Sequence, residues 1–135
     1  MKLQLVAKEV FSVYAVETSG GEMDCAHFLS DDWVPQNKEE STERNRIFRI
    51  IQQACKNPRI LSEPCHTIAE GVWQFKVRGG SYRIPWFYDK NKIIICTHYF
   101  VKKGQKTPKA EKEKALKIKK EYFLQKASCN LNWKG

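Results

Sequence analysis

The chain carries two groups of basic residues whose spacing could concentrate positive charge on one surface. The first group flanks a Gly-Gly pair and comprises Lys76, Arg78 and Arg83. The second group follows an apolar stretch and comprises Lys102, Lys103 and Lys106. Clustered cations attract a polyanion, for which RNA, DNA or an acidic protein tail are candidates. We therefore predict that these residues form a polyanion-binding surface.

No other residue pattern predicts a competing chemistry. His27, His66 and His98 share no metal-like spacing with carboxylates or cysteines. The sequence contains no Walker loop, no serine-hydrolase elbow and no dinucleotide fingerprint. Its cysteines are odd in number and include no C-x-x-C pair, which is typical of reduced cytosolic thiols. We expect no metal site and no cofactor, and we expect His98 to be a packed core residue.

Three predicted strands would bring the two basic groups together. Residues 72–78 alternate polar and apolar side chains, which places their basic residues on one face. The Gly-Gly pair favours a tight turn, so the basic residue of a second strand over 81–88 returns beside them. Residues 93–101 are almost continuously apolar, which is typical of a central strand. The result is an antiparallel meander whose cations repel one another unless an anion lies between them.

Caps and apolar periodicity predict the remaining elements. These are a strand over 10–18, a short helix or, as the less favoured alternative, an edge strand over 22–29, a helix over 38–56 capped by Asn37, and a helix from 108 to about 126. The last helix has an apolar stripe of Ala115, Ile118 and Tyr122, with Leu116 and Phe123 beside them. Its lysines are expected on a solvated face, and residues 128–135 are expected to form a loose tail. The fold class is therefore α+β, with a small antiparallel sheet, made of the N-terminal strand and the meander, packed against two or three helices.

Length and charge are consistent with one basic domain over residues 1–135. Residues 1–70 carry 8 Lys/Arg against 11 Asp/Glu, whereas residues 71–135 carry 16 against 4. All of the positive excess therefore lies in the second half of the chain. No apolar run approaches the roughly 18 residues of a membrane span, and polar residues interrupt any signal-peptide core. We expect a cytoplasmic protein that does not contact a membrane.

Two stretches of the second half resemble a known family. Residues 71–84 read GVWQFKVRGGSYRI and resemble the G-hydrophobic-aromatic-E-L-R … Y-R-hydrophobic stretch of RelE/ParE-superfamily toxins. Residues 98–108 read HYFVKKGQKTP and resemble the H-G-F-x-K-K-x-x-K-T-P signature of the HigB-like, often phage-derived, branch. Gln74 and Lys76 stand where the family usually has Glu and Arg, and Tyr99 replaces a glycine. The preceding elements fit the β-α-α-β-β-β-α order of the RelE-like fold.

The resemblance implies a type II toxin that cuts translated mRNA on the ribosome, without metal, by attack of the substrate 2′-hydroxyl on the adjacent phosphate. Its implied partners are the ribosome, the mRNA and a cognate antitoxin, typically a small helix-turn-helix protein. The implied catalytic residues are Lys76, Arg78, Arg83, Lys103 and Lys106. The implied RNA- or ribosome-binding residues are Lys102, Lys109, Lys112, Lys119 and Lys120. Fixed cations suit this chemistry because the phosphorane carries extra negative charge.

Two other functions remain open on the sequence. The first is a ParE-like toxin that is not a nuclease and acts on DNA gyrase. The second is a prophage protein that binds RNA without cutting it. The lysines at 102 and 103 and the cations around the Gly-Gly turn favour the endonuclease over the gyrase toxin.

Overall fold

The computed structural model describes residues 1–18, 24–57, 67–104 and 106–135. These residues form three helices and seven strands. The helices are α1 Cys25–Phe28, α2 Lys38–Lys56 and α3 Lys109–Ala127. The strands are β1 Lys2–Lys8, β2 Ser12–Glu17, β3 Trp73–Lys76, β4 Tyr82–Asp89, β5 Ile93–Cys96, β6 Phe100–Val101 and β7 Asn132–Lys134. The expected turn after the first predicted strand and the expected proline loop after α2 lie outside the described residues.

The seven strands belong to one mixed sheet. Six of them follow the order β3-β4-β5-β2-β1-β7, and β6 pairs with β4. The β1–β2, β3–β4, β4–β5 and β4–β6 pairs are antiparallel, whereas β2–β5 and β1–β7 are parallel. The predicted α+β class, the meander and the central position of its third strand are confirmed. The sheet is larger than expected, because β1 and β7 extend it at one edge.

The first strand, β1, has no counterpart among the predicted elements. Only Leu3 among its seven residues is fully buried, and the others are half-buried or exposed. Its register with β2 shifts between Leu5 and Ala7, which is a bulge-like irregularity. An irregular, mostly half-buried strand lacks the two-residue hydrophobic period by which strands are recognised in a sequence.

The prediction that residues 128–135 form a loose tail is wrong. Residues 132–134 form β7, which pairs in parallel with β1 at the sheet edge. The ring of Trp133 lies 4.6 Å from that of Tyr14 in an edge-on contact. The amino group of Met1 donates to the side-chain oxygen of Gln125, which brings the N-terminus against the end of α3. These contacts join distant parts of the chain, so composition near residue 130 does not reveal them.

The third strand of the meander is shorter than predicted, because the apolar stretch 93–101 divides into β5 and β6. The break falls opposite Pro85 of β4, whose carbonyl accepts from the Thr97 N–H at 2.9 Å. Proline has no N–H, so it cannot donate to its neighbour at this point of the ladder. Pairing with β4 resumes at Phe100, opposite Arg83. The interruption turns the segment between the two strands toward α3.

The helices cover both faces of the sheet. On one face, α1 and α2 pack over a core that includes Ile47, Ile84 and Trp86. On the other, Tyr122 of α3 packs against Phe87, with ring centroids 5.3 Å apart. Side chains of β4 therefore alternate between the two cores, as strand geometry requires. Among the described residues, no helix is both long enough and apolar enough to cross a membrane.

The predicted helix boundaries are close to those observed. Helix α2 covers the predicted residues, and the Asn37 side chain accepts from the Glu40 N–H at 2.8 Å. Helix α3 begins with Pro108 as its N-cap. Its predicted stripe is confirmed at Ala115, Ile118 and Tyr122, but wrong for two neighbours, because Leu116 and Phe123 are exposed.

A buried carboxylate fastens the C-terminal half of α3 to the sheet. Asp89, at the end of β4, accepts from the Tyr122 hydroxyl at 2.6 Å and from the Lys126 ammonium at 2.7 Å. Its side chain is only 4% exposed. Burial acts to raise the pKa of Asp89, but the hydrogen bonds from Lys126, Tyr122 and the Lys90 backbone outweigh it and lower the pKa.

We expect Asp89→Asn to lower the free energy of unfolding at pH 7 by about 1–2 kcal/mol. The folded state has a lowered pKa for Asp89, so the carboxylate stabilises the fold fully at any pH above the ordinary pKa of an aspartate. This stabilisation is lost as the pH falls through the lower pKa of the folded state. The difference in the free energy of unfolding between wild type and Asp89→Asn should therefore shrink as the pH is lowered. Urea unfolding at several pH values measures it, with exposed Asp31→Asn as the control. A gap that persists unchanged at acid pH would contradict this assignment.

Candidate functional site

The β3–β4 hairpin sets two cations directly opposite each other. Lys76 and Arg83 are cross-strand partners in the antiparallel register. The turn between them closes with a hydrogen bond from the Gly80 N–H to the Val77 carbonyl at 2.9 Å. Gly79 has a φ of +78°, a backbone conformation that residues other than glycine rarely adopt. The turn therefore requires its glycine, and the register then places like charges side by side.

Glu43 of α2 holds this turn in place. Its carboxylate accepts from the backbone N–H groups of Ser81 and Tyr82, the latter at 3.2 Å. A Cβ atom on Gly80 would collide with the same carboxylate. The hairpin is therefore fixed to the helix by an acidic residue 38 positions away in the sequence. No local sequence signal points to this contact, and Glu43 is absent from the predicted site.

Arg83 is held by its own turn. Its Nη1 group donates to the carbonyls of Gly80 at 2.8 Å and Tyr82 at 2.9 Å. Its Nε atom is buried and has no hydrogen-bond partner among the described residues. Burial lowers the pKa of Arg83, and the charge of Glu43 opposes that change. The guanidinium remains charged at neutral pH, because arginine is not deprotonated in proteins.

Lys102 is the third cation beside Lys76 and Arg83. Its backbone N–H donates to the Ser81 carbonyl at 2.7 Å, immediately after β6 pairs with β4. Burial and then the charges of Arg83 and Lys76 lower the pKa of Lys102. We call Lys76, Arg83 and Lys102 the cation cluster. Within the described part of the chain, none of the three forms a salt bridge with a carboxylate.

A buried amide lies on the same strand face. Gln74 shares the face of Lys76 because the two are two positions apart in β3. It is 4% exposed, and its Oε1 has no hydrogen-bond partner among the described residues. A buried acceptor without a partner costs free energy, so its presence beside the cluster is typical of a functional site.

His98 lies between the cluster and α3, and it is 2% exposed, as expected of a core residue. Its Nδ1 lies 2.9 Å from the Thr97 hydroxyl, and its Nε2 lies 3.6 Å from a carboxylate oxygen of Glu111. Burial and the charge of Lys114 lower the pKa of His98 to about 4. The ring is therefore neutral at pH 7, and its approach to Glu111 is not an ion pair.

The other cations of the two basic groups are not brought into the cluster. Arg78, Lys103 and Lys106 are exposed, and their side chains form no hydrogen bond or ion pair with the described residues. The sequence assigns Lys102 to binding and Lys103 to catalysis, whereas the structure places Lys102 under the influence of Arg83 and Lys76 and leaves Lys103 exposed. The catalytic roles of all these residues stay predictions.

The lysines of α3 differ from one another in their surroundings. Lys109 and Lys120 are exposed, and Lys109 pairs with Glu113 at 3.8 Å. Lys112 is half-buried. The expectation of a solvated position is wrong for Lys119, which is half-buried and donates to the Gly71 carbonyl at 3.4 Å. Lys119 therefore connects α3 with the segment that leads into β3.

Tyr99, which stands at a glycine position of the resembling family, leaves the cluster open. Its ring stacks on Phe28 of α1, with centroids 4.3 Å apart. Phe28 belongs to the core on the α1 and α2 face of the sheet. The cluster lies on the opposite face, toward α3, so the larger side chain does not crowd it.

A cleft of about 820 Å³ lies elsewhere. It is bordered by acidic residues near α1, including Asp24, Asp31 and Asp32, and by Arg44. No member of the cation cluster lines it. No group of three or more His, Cys, Asp or Glu side chains in the described ranges is placed to hold a metal ion. The cation cluster is thus a surface site that can hold an anion such as a phosphate.

Fold and site together define a small α+β protein with a cationic surface on the sheet face toward α3. Residues 37–120 match the family model described as phage derived protein Gp49-like (DUF891). The match covers most of the chain, including α2, the meander and the start of α3, so the chain belongs to this family. The Gp49-like family is toxin-like and related to the RelE/ParE toxins. No curated protein matches the chain at a significant level.

We expect the His98 ring to stay neutral at about pH 5.5, where an ordinary histidine is mostly protonated. Burial among Thr97, Phe100 and α3 is the physical reason. Ring ¹⁵N chemical shifts across a pH titration measure the protonation state, with exposed His27 as the internal comparison. A His98 midpoint above pH 6 would contradict the burial argument.

We expect Lys102→Met to raise the melting temperature by about 1–3 °C, because it removes a charge that the other two cations repel. Methionine keeps an apolar stem of similar length, so packing is retained. The matched control is Lys103→Met, which removes a neighbouring exposed lysine and should change the melting temperature by less than about 1 °C. Thermal unfolding at low salt measures both variants. A lower melting temperature for Lys102→Met would mean that the lysine is structural.

Proposed function

We propose that the protein is the toxin of a type II toxin–antitoxin system and acts as a ribosome-dependent mRNA endonuclease of the HigB-like kind. The cation cluster is the observation that carries this proposal. Three cations converge and none of them forms a salt bridge in the described chain, and two of them are opposite each other in a ladder. Such an arrangement is unfavourable in the free protein and favourable around a phosphate.

The proposed reaction uses the cluster in one displacement at phosphorus. The 2′-oxygen bonds to the adjacent phosphorus while its proton passes to the neutral amine form of Lys102. Lys76 and Arg83 stabilise the extra negative charge of the phosphorane. The bond to the 5′-oxygen then breaks, and the leaving oxygen takes a proton from the ammonium of Lys76. The products are a 2′,3′-cyclic phosphate and a 5′-hydroxyl end.

Lys102 suits the role of base because its pKa is lowered by burial and by Arg83 and Lys76. A base is more effective as its pKa approaches the working pH. Lys103 and Lys106, on the exposed segment before α3, then contact the mRNA backbone, as do Arg78 at the turn and the exposed lysines of α3. In this proposal Lys102 is catalytic and Lys103 binds the RNA, which is the reverse of the roles that the family resemblance implies.

We expect mRNA cleavage to depend on the ribosome, because the site has few side chains suited to proton transfer at neutral pH. Lysines titrate far from neutral pH, and the buried, neutral His98 is not accessible to a substrate. Precise placement of the 2′-hydroxyl by the decoding ribosome can supply what the side chains lack. The proposal places the protein in the cytoplasm and includes an antitoxin, a small helix-turn-helix protein, that covers the cations.

We expect Lys102→Met to slow single-turnover mRNA cleavage on programmed ribosomes by at least about a hundredfold, since loss of a general base typically costs that much. The matched Lys103→Met variant should stay within about tenfold of wild type and lose mainly affinity, with a smaller salt dependence. Wild type should cut naked RNA poorly, and EDTA should not change its rate.

Three results would contradict the proposal. They are equal rates on naked and ribosome-bound RNA, loss of cleavage on chelation, and equal effects of the two variants on the cleavage step. Ribosome binding without any cleavage would instead indicate the non-catalytic RNA-binding alternative. Inhibition of DNA gyrase while the mRNA stays uncut would indicate the ParE-like alternative.

A further inference from the structure

Two buried polar atoms on the sheet face toward α3 have no hydrogen-bond partner in the described chain, although each is the chemical complement of the other. They are the side-chain oxygen Oε1 of Gln74 and the guanidinium nitrogen Nε of Arg83. The oxygen is a hydrogen-bond acceptor, and the nitrogen carries a donor hydrogen. Leaving such groups unpaired in a protein interior costs free energy, so both need an explanation.

The hairpin register makes Gln74 and Arg83 diagonal neighbours. Gln74 is paired with Pro85, and Arg83 lies two positions before that proline, opposite Lys76. Cross-strand partners lie on the same face of a sheet, as do side chains two positions apart on one strand, so Gln74 and Arg83 share a face. Diagonal neighbours of an antiparallel pair are within reach of each other when their side chains are long. The two unpaired atoms can therefore meet.

The other two unpaired buried side-chain atoms of the described residues have different surroundings. Trp86 Nε1 belongs to a side chain of the core on the α1 and α2 face of the sheet. His98 Nε2 lies 3.6 Å from a carboxylate oxygen of Glu111. Of the four atoms, those of Gln74 and Arg83 are the donor and acceptor that share one face of paired strands.

The observed position of the Arg83 side chain keeps these two atoms apart. Its Nη1 donates to the carbonyls of Gly80 at 2.8 Å and Tyr82 at 2.9 Å, so the guanidinium is turned back toward its own hairpin. We call this the hairpin-bound position. It satisfies Nη1 but leaves Nε without a partner and Gln74 Oε1 without a donor in the described chain.

We propose that Gln74 is a positioning residue that holds Arg83 against a phosphate group in the cation cluster. Arg83 leaves the hairpin-bound position, its Nη groups donate to the phosphate oxygens, and its Nε donates to Gln74 Oε1. The contact with Gln74 pairs both unpaired atoms and fixes the plane of the guanidinium. The phosphate drives the change because it binds one position of Arg83 more tightly than the other.

This inference deepens the proposed function and rests on it, because Arg83 stabilises the phosphorane in the proposed reaction. A guanidinium fixed in one plane can donate two parallel hydrogen bonds to a phosphate, which a mobile one does less well. Gln74 acts only through Arg83 and does not touch the reacting atoms.

The first test uses the full chain, inorganic phosphate and Gln74→Met, which keeps the length of the side chain and removes the amide acceptor. Arginine Nε–H groups give separate cross-peaks in ¹H–¹⁵N NMR spectra, and Arg83→Lys identifies the cross-peak of Arg83. In the wild type, phosphate should move this cross-peak downfield, since a hydrogen bond forms. In Gln74→Met the cross-peak should stay in place, and phosphate binding should be about tenfold weaker.

The melting temperature separates a positioning role from a structural one. Gln74→Met removes a buried acceptor that has no partner in the described chain, so the melting temperature should stay equal or rise by up to about 3 °C. A glutamine that only supports the fold would give a lower value. The matched control is Gln53→Met on the exposed side of α2, which should change neither the melting temperature nor phosphate binding.

Single-turnover mRNA cleavage on programmed ribosomes separates this inference from the proposed function. Gln74→Met should slow the cleavage step about tenfold at saturating ribosomes. If phosphate moves the Arg83 cross-peak in a wild type that does not cut mRNA, the endonuclease proposal fails and the positioning role is retained. If the wild type cuts mRNA and Gln74→Met cuts it at the same rate, the positioning role alone is overturned.

A second variant decides the question if Gln74→Met does not fold. Gln74→Glu keeps an acceptor oxygen and adds a negative charge, so it should draw Arg83 out of the hairpin-bound position and move its cross-peak downfield without phosphate. An Arg83 cross-peak that is unchanged in Gln74→Glu, or that phosphate moves equally in wild type and Gln74→Met, would overturn the proposal. So would a lower melting temperature of Gln74→Met with unchanged phosphate binding.

Discussion

The repulsion between Lys76 and Arg83 is the constraint on which the rest of the site depends. Their opposition is a consequence of the hairpin register, which the Gly79 turn and the Glu43 carboxylate hold in place. Lys102 adds a third charge, because its backbone N–H donates to the Ser81 carbonyl at the turn end of the same hairpin. The fold thus concentrates positive charge, and within the described chain none of the three cations forms a salt bridge, although the charge of Glu43 acts on Arg83. An anion is the natural complement of such a surface.

The surrounding structure compensates for this unfavourable cluster. The two cores on either side of the sheet fix β4, which carries Arg83, and the Asp89–Tyr122–Lys126 network fixes α3 at the far end. The segment between β5 and β6 departs from β4 opposite Pro85 and returns at Phe100, which brings buried His98 toward α3. Stability elsewhere therefore allows a local arrangement that would not persist by itself, as is common at functional sites.

Much of this arrangement could be predicted from the sequence, because it is local. The alternation through 72–78 and the Gly-Gly turn were sufficient to place Lys76 beside Arg83, and the Asn37 cap was sufficient for α2. The contacts that the sequence did not reveal join distant positions. Glu43 is 38 residues from the amide it accepts from, and β7 pairs with β1 across almost the whole chain. The position of Lys102 depends on a strand break caused by a proline in a neighbouring strand, so periodicity alone could not separate it from Lys103.

The most direct test of the central claim is to sequence mRNA 5′ ends in cells that express the wild-type chain, its Lys102→Met variant or its Lys103→Met variant at equal protein levels. If the cation cluster performs phosphoryl transfer on the ribosome, new 5′-hydroxyl ends should accumulate inside translated reading frames with wild type and Lys103→Met. They should be nearly absent with Lys102→Met. Growth arrest by the wild type without new mRNA ends, or the same ends with Lys102→Met, would contradict the account.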